Sequence, residues 1–211
     1  MPTLRQQAVI VTSGEATVRR TPDRAFVTIA VTSRDKNPRD AQKQAADAMT
    51  TIQQRLSQAR VPQDAVRTLG YDLEQEFEIV PNGRIPREFV ARNTIELRVD
   101  DLSRVGELID TAVRGGATSV AGVRFEVQDR AGAEQEALRL AVADARRRAD
   151  AAATGAGVIV DRVVRIEDRR DGIIVPTRPV VMAARTVEAS TPIEPGLIEI
   201  RAHVTLTVSI K

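Results

Sequence analysis

Three consecutive arginines, Arg146, Arg147 and Arg148, could contact a polyanion or another protein. Asp144 precedes Arg147 and Arg148 by three and four residues, and Arg146 precedes Asp150 by four. Residues at these spacings are neighbours on a helix, so intrahelical ion pairs can neutralise the cluster. The spacing therefore favours a solvated helix face, with a protein contact as the next interpretation and nucleic-acid binding as the weakest.

Two glycines, Gly155 and Gly157, follow the arginines and would suit a phosphate cradle if they opened a helix. Anions bind where backbone N–H groups are unpaired, at the start of a helix, whereas these glycines stand at the end of one. A glycine just past a helix commonly closes it in the left-handed conformation. The sequence therefore predicts a helix cap and an exit turn here.

Few residues have the types and spacing needed for catalysis. His203 is the one histidine of the chain, and there is no second imidazole and no cysteine to complete a metal site. Ser13 precedes Gly14 but lacks the G-x-S-x-G context of a nucleophile elbow. The carboxylates of "EDRRDG", residues 167–172, do not have the spacing of a calcium loop. The sequence predicts no catalytic, cofactor-binding or metal-binding residue and no enzyme; a hydrolase that depends on His203 is the weakest alternative.

The composition bounds the partners that the protein can have. A formal net charge of +2 over 211 residues is too small for a strong polyanion-binding field. The five aromatic residues are scattered and do not form a platform on which single-stranded nucleic acid could stack. No apolar run reaches the roughly 18 residues of a membrane span. We expect no nucleic-acid partner and no membrane span.

The compartment is left open by the composition. The absence of cysteine excludes disulfides, and it fits either the cytosol or an exported protein without bridges. The opening "MPTLRQQAVIVTSGEA" lacks the basic segment and apolar run of a signal peptide. If the protein is exported, we expect its export signal to be absent from this sequence.

The elements that must position these residues begin with strands and one helix. The patterns predict strands at about 8–20 and 24–34, a helix from Asn37 to just before Pro62, and strands at about 65–80 and 88–100. The turn "TPDR" is expected to join the first two strands into an antiparallel hairpin. Asn82-Gly83 is expected to join the other two, because both residues tolerate positive φ.

The second half of the chain is richer in helix. The patterns predict a helix capped by Asp100 or Asp101 and closed by Gly115-Gly116, a strand at 119–129, a helix at 132–154, and strands at 157–168 and 196–211. The inward stripe of the first of these helices is predicted to be Leu102, Val105, Leu108, Ile109, Ala112 and Val113. That of the second is predicted to be Leu138, Ala141, Val142, Ala145, Ala149, Ala152 and Ala153.

The segment 169–195 contains repeated Pro, Thr and Gly between short apolar pieces. It is too long for an ordinary connection, so we interpret it as an extended arm that faces a partner or moves. The order of elements predicts an α+β fold with about seven to eight strands, in antiparallel or mixed sheets, and three main helices on one face. We expect one domain over 1–211, with two possible sub-domains at about 1–100 and 101–211.

The order of motifs resembles the SIMPL-domain family of bacterial proteins. The matching segments are "GEATVRRTPDRAFVTIAV", "ARNTIELRVDDLSRVGELIDTAVRGGA", "VAGVRFEVQD", "EALRLAVADARRRADAAATGAG" and "PIEPGLIEIRAHVTLTVSI". Phe89 stands where a tyrosine is expected before "ARN". The family includes periplasmic oxidative-stress-defence proteins and outer-membrane-associated antigens. The resemblance implies an α+β body, a periplasmic or secreted location, no cofactor and a tendency to self-associate, but it carries no active-site residues over.

Two functions follow as expectations. The first is a non-enzymatic cell-envelope protein that forms homo-oligomers, with a loosely defined role in stress defence and with other envelope proteins as possible partners. In this hypothesis the terminal strand and the arm at 169–195 cover or exchange onto the sheet edge of a neighbour. The alternative is a monomeric module that binds a small molecule or a peptide at an open sheet edge.

Overall fold

The computed structural model describes residues 8–81, 83–169 and 193–211. Within these ranges the chain forms seven strands and three α-helices, which confirms the predicted α+β class. The elements are β1 (Val9–Arg20), β2 (Arg24–Asp35), α1 (Pro38–Gln58), β3 (Val66–Val80), β4 (Gly83–Val99), α2 (Val105–Arg114), β5 (Ser119–Glu126), α3 (Arg130–Gly155), β6 (Val160–Arg169) and β7 (Ile198–Ile210). None of the helices in these ranges is long and apolar enough to cross a bilayer.

The strands form two antiparallel sheets, with strand orders β1-β7-β6 and β3-β4-β2-β5. Each sheet belongs to one of two compact units: the first contains β1, α3, β6 and β7, and the second contains the other elements. Among the described residues the chain changes unit after Thr21, after Glu126 and after Pro195. The sub-domain boundary expected near residue 100 lies inside the second unit, and the single domain over 1–211 stays a prediction.

The first unit packs α3 onto one face of its sheet through alanines. Residues four apart on a helix form a ridge inclined to the helix axis, so this row crosses the strands obliquely. The buried residues of the helix are Ala133, Ala137, Ala141, Ala145, Ala149 and Ala153. They meet Val18 and Ile200 at one end and Val204, Leu206 and Val208 at the other.

Gly14 of β1 lies directly under this helix. A Cβ atom built on Gly14 would lie 2.2 Å from the Ala141 carbonyl oxygen and 2.4 Å from the Ala145 backbone nitrogen. The Thr12 hydroxyl donates to the Ala145 carbonyl at 2.9 Å, so the strand also bonds to the helix backbone. The close approach of α3 and β1 therefore requires glycine on the strand and alanine on the helix.

The second unit fills its core with larger side chains. The helices α1 and α2 cover one face of the sheet, and alternate residues of β2 and β4 point into that core. Its largest fully buried side chains are Val27, Ile29, Ile52, Leu56, Ile95, Leu97 and Val105. The Asn37 side chain accepts a hydrogen bond from the Arg39 N–H at the start of α1, as the sequence predicts.

The predicted hairpin between the first two strands is wrong. β1 pairs along its length with β7, from Val9 opposite Ser209 to Arg20 opposite Ile198, whereas β2 pairs with β4 and β5 in the other sheet. A period-two pattern shows that a segment is a strand but does not identify its neighbour. The hairpin of β3 and β4 is confirmed, although Asn82 itself lies outside the described residues.

Two smaller expectations need correction, and a third stays a prediction. Val113 and Ala152 were predicted to face inward and are exposed instead. β7 cannot cover the edge of a neighbour's sheet, because it is the central strand of its own sheet and is paired on both sides. Most of the predicted arm at 169–195 lies outside the described residues, and Ile193, near its end, packs against the core of the second unit.

Candidate interaction surface

The arginine cluster of α3 forms the ion pairs that its spacing predicts. Arg147 and Arg148 lie 3.0 and 2.9 Å from the Asp144 carboxylate, and Arg146 lies 3.1 Å from that of Asp150. The Asp144 carboxylate also accepts the Glu15 backbone N–H at 3.3 Å. The hydrogen bond from Arg147, followed by that from Glu15, lowers the pKa of Asp144. The cluster is thus engaged in holding one carboxylate against β1.

The two glycines after the cluster lie at the end of the helix. α3 ends at Gly155, and Gly157 has a φ of 71°, in the left-handed region. The Gly157 N–H donates to the Thr154 carbonyl at 3.1 Å, which satisfies one of the terminal acceptors of the helix. The predicted cap and exit turn are confirmed, and the left-handed position is Gly157.

His203 and Ser13 lie on the face of the first sheet opposite α3. The His203 Nδ1 atom is 3.9 Å from a Glu15 carboxylate oxygen, and both side chains are well exposed. Ser13 pairs with Thr205 in register, two residues from the Glu15–His203 pair. Glu167 forms an ion pair with Arg165 at 2.5 Å. In the described ranges no three potential metal ligands come together.

The open face of the second sheet carries a row of alternating charges. The Glu96 carboxylate, which is 12% exposed, binds Arg67 at 2.7 Å and Arg124 at 3.3 Å. The Arg124 guanidinium also lies over the Phe26 ring, 4.5 Å from its centroid. Phe26, Glu96 and Arg124 line a shallow groove beside Gly122. Since these charges already have partners, the groove offers mainly the Phe26 ring and its apolar floor to a ligand.

A second charged group lies on the same face. Asp100 binds Arg24 at 2.6 Å and Arg98 at 3.3 Å, and Arg98 also reaches Asp64 at 2.8 Å. The hydrogen bond from Arg24 is the main cause of the lowered pKa of Asp100, and the bond to Asp64 is the main cause of the raised pKa of Arg98. The group links β2 to β4 across the sheet and is electrically almost neutral.

The hairpin of β3 and β4 extends beyond the rest of its sheet. β2 ends at Asp35, which lies opposite Phe89. Among the described residues, 76–80 and 83–88 therefore pair only with each other, over about 17 Å of strand. We call this part the projecting hairpin.

β3 carries apolar side chains on one face and acidic side chains on the other, from the four-stranded part of the sheet into the projecting hairpin. Tyr71, Leu73, Phe77 and Ile79 alternate along β3 on the face that α1 and α2 cover elsewhere, and they are 44%, 40%, 51% and 80% exposed. The opposite face of the strand carries Asp72, Glu74, Glu76 and Glu78. Glu76 pairs with Arg34 at 3.4 Å, and Glu78 pairs with Arg87. We call the first set, with Gln75, the apolar hairpin face.

The apolar hairpin face is a surface that the sequence did not single out. Its signal is present in "YDLEQEFEI", where large apolar residues alternate with acidic ones. That alternation predicts a strand with one buried face. It does not reveal that the two strands extend past the helices that would bury it.

Comparison with known proteins identifies relatives of the whole fold. The model of the SIMPL family, described as a protein of unknown function (DUF541), matches residues 10–208. The 26 kDa periplasmic immunogenic protein of Brucella abortus (strain S19) is 26% identical over 168 residues, which are 77% of this chain and 67% of that protein. The protein with the same description in Brucella melitensis biotype 1 is 25% identical over the same shares.

Proposed function

The chain belongs to the SIMPL family, and from that membership we propose that it is a non-enzymatic protein of the bacterial cell envelope that works by assembling with copies of itself. The location is supported by the two Brucella relatives, which are described as periplasmic. The non-enzymatic part rests on the sequence, whose candidates His203 and Ser13 lie on an exposed sheet face without a nucleophile motif. Fractionation of the source bacterium with an antibody to the chain tests the location.

One observation supports the assembly more than any other: large apolar side chains lie exposed along the apolar hairpin face of β3. Isolated exposed apolar residues are normal on proteins, but a contiguous patch of several hundred Å² commonly marks a contact with another molecule. A two-stranded hairpin is also marginal in water by itself and gains stability from a covering layer. Assembly would provide that layer.

Light scattering after size exclusion tests the assembly with the full chain. We expect a mass greater than that of one chain, which falls toward one chain as the protein is diluted. A single-chain mass at every concentration would contradict the proposal. The same measurement after deletion of residues 172–193 shows whether the predicted arm contributes.

The proposed role in stress defence rests on the family resemblance. Its test is a bacterial strain that lacks the gene and is challenged with peroxide. We expect reduced survival that the wild-type gene restores. Equal survival of the deleted and parental strains would remove this part of the proposal and leave the assembly untouched.

A monomeric binding module is the second candidate, and the groove at Phe26 is the observation that favours it. The outer edge of β5, which no described strand pairs with, adjoins this groove, so an extended peptide could pair with the strand while a side chain contacts the ring. Ligand screening by thermal melting discriminates the candidates. A ligand that raises the melting temperature of a protein that remains monomeric would favour the module.

A further inference from the structure

We propose that the apolar hairpin face is where two copies of this chain meet, face to face, with the hairpins pointing in opposite directions. This inference rests on the proposed self-assembly and assigns it a surface. The contact is isologous, because each copy contributes the same residues.

The two edges of the projecting hairpin are poor sites for adding a strand. The outer edge of β3 carries Glu74, Glu76 and Glu78, so a second β3 paired to it in the antiparallel direction would bring carboxylates together. The outer edge of β4 contains Pro86, which has no N–H to donate. Charges and proline are the devices that protect edge strands from pairing. The apolar face is therefore the part of the hairpin left available for a contact.

The area of the face suits a reversible dimer. A large apolar or aromatic side chain has roughly 150–200 Å² of surface, so the exposed parts of Tyr71, Leu73, Phe77 and Ile79 amount to about 400 Å² in one copy. Two copies would bury about 800 Å² through these residues, less than the roughly 1,200 Å² of stable specific interfaces and in the range of transient ones. The contact should therefore be weak and depend on concentration.

Two symmetric arrangements are possible, with the hairpins pointing in the same direction or in opposite directions. Charge repulsion favours the second. Arg84 lies opposite Ile79, so it is on the apolar face near the end of the hairpin, whereas Gln75 and Phe77 lie further from that end. Hairpins that pointed the same way would bring the two Arg84 guanidinium groups together. With opposed hairpins the guanidinium groups are separated, and Gln75 or Phe77 of one copy lies near the same residue of the other.

The absence of cysteine allows a direct test with single-cysteine variants of the full chain. Gln75→Cys and Glu76→Cys are neighbours in sequence on opposite faces of the hairpin. With a bis-maleimide that spans about 10 Å, the spacing of packed sheets, we expect Gln75→Cys to give a covalent dimer and Glu76→Cys to give little. Equal cross-linking of the two variants, or none while light scattering still shows an oligomer, would overturn the proposed surface.

A second pair of variants tests the energetics. Phe77→Ser with Ile79→Ser should raise the dimer dissociation constant at least tenfold, while Val113→Ser with Ile159→Ser, at two other exposed apolar positions, should leave it unchanged. If the wild-type chain is monomeric, the proposed assembly itself fails. If it is oligomeric and the two double variants behave alike, the assembly stands and this surface is wrong. The inference would also be overturned if the wild-type chain bound lipid vesicles without forming a dimer and the Phe77→Ser, Ile79→Ser variant lost that binding.

Discussion

Each unit covers one face of its own antiparallel sheet with helices, but the distance between helix and sheet differs between the two. In the first, α3 approaches so closely that its inner row is alanine and the strand beneath it carries Gly14. In the second, α1 and α2 stand off the sheet on side chains such as Ile52, Ile95 and Leu97. The two units are therefore sensitive to different substitutions. The first has no room for a larger side chain, whereas the second loses stability when a large side chain is shortened.

The coverage of the two sheets also differs. The single helix of the first unit contacts all three of its strands. In the second unit the helices lie over β4 and β2, and the edge strand β3 continues past them. Both units leave large apolar side chains exposed, but those on β3 alternate along one face that continues past the helices, which is where the proposed contact surface lies.

The largest effect is expected from adding one methyl group to the first unit. In Gly14→Ala the new Cβ would meet the backbone of Ala141 and Ala145, and backbone atoms cannot rotate away as a side chain can. We expect the free energy of unfolding to fall by about 4 kcal/mol or more, beyond the usual cost of overpacking. Urea unfolding followed by circular dichroism measures it.

Gly70→Ala is the matched control for this substitution. A Cβ at Gly70 has no neighbour within 4 Å, so the change should stay within about 0.5 kcal/mol. A Gly14→Ala protein as stable as the Gly70→Ala protein would mean that α3 and β1 do not pack as closely as described.

The second unit should respond to the removal of atoms instead. Ile95 is fully buried between β2, β3 and the helices, so Ile95→Ala leaves a cavity that the surrounding elements can only partly fill. We expect a loss of about 3 kcal/mol in the free energy of unfolding, and about 1 kcal/mol for Ile95→Val as the graded control. If Ile95→Ala lowered the free energy of unfolding no more than Ile95→Val does, the second unit would not depend on its large side chains as described.

The sequence predicted most elements of the second unit because their signals are local. Asn37 before Pro38, the alternation from Ala25 to Val31, and the paired strands around Gly83 are each read from neighbouring residues. The pairing of β1 could not be predicted in this way. Its partner β7 lies almost 190 residues further along the chain, and nothing in the pattern of β1 distinguishes that partner from β2.

The helix face of the first unit shows a second limit. Hydrophobicity at helical spacing placed Leu138, Val142 and Ala152 in the inward stripe. Leu138 and Val142 are half-buried against the core and Ala152 is exposed, while the fully buried row is alanine at every fourth position. Which residues of α3 are buried depends on how closely the helix approaches the sheet. That distance is set by Gly14, which is remote in sequence. The apolar hairpin face was missed for a similar reason, since its exposure depends on where α1 lies relative to β3.

The smallest effect concerns the charges that hold α3 to β1, and it should depend on pH. Asp144 accepts hydrogen bonds from Arg147 and from the Glu15 N–H, and these lower its pKa in the folded protein. A carboxyl whose pKa is lowered by folding stabilises the protein above its unfolded pKa, about 3.9, and this contribution disappears as the pH falls through the folded value. Asp144→Asn should therefore cost less than about 1 kcal/mol at pH 7, and the difference from the wild type should shrink below pH ~4.

The comparison must be made between the two proteins at each pH, because Asp100 and Glu199 also have lowered pKa values and titrate in both. Asp150→Asn is the matched control, since Asp150 pairs with Arg146 on the solvent side of the same helix and does not bond to β1. It should change the free energy of unfolding by no more than a few tenths of a kcal/mol. If Asp144→Asn behaved like Asp150→Asn at every pH, the charge of Asp144 would contribute nothing to stability, and α3 would be held to β1 by its packing on Gly14 and by uncharged hydrogen bonds such as that of Thr12.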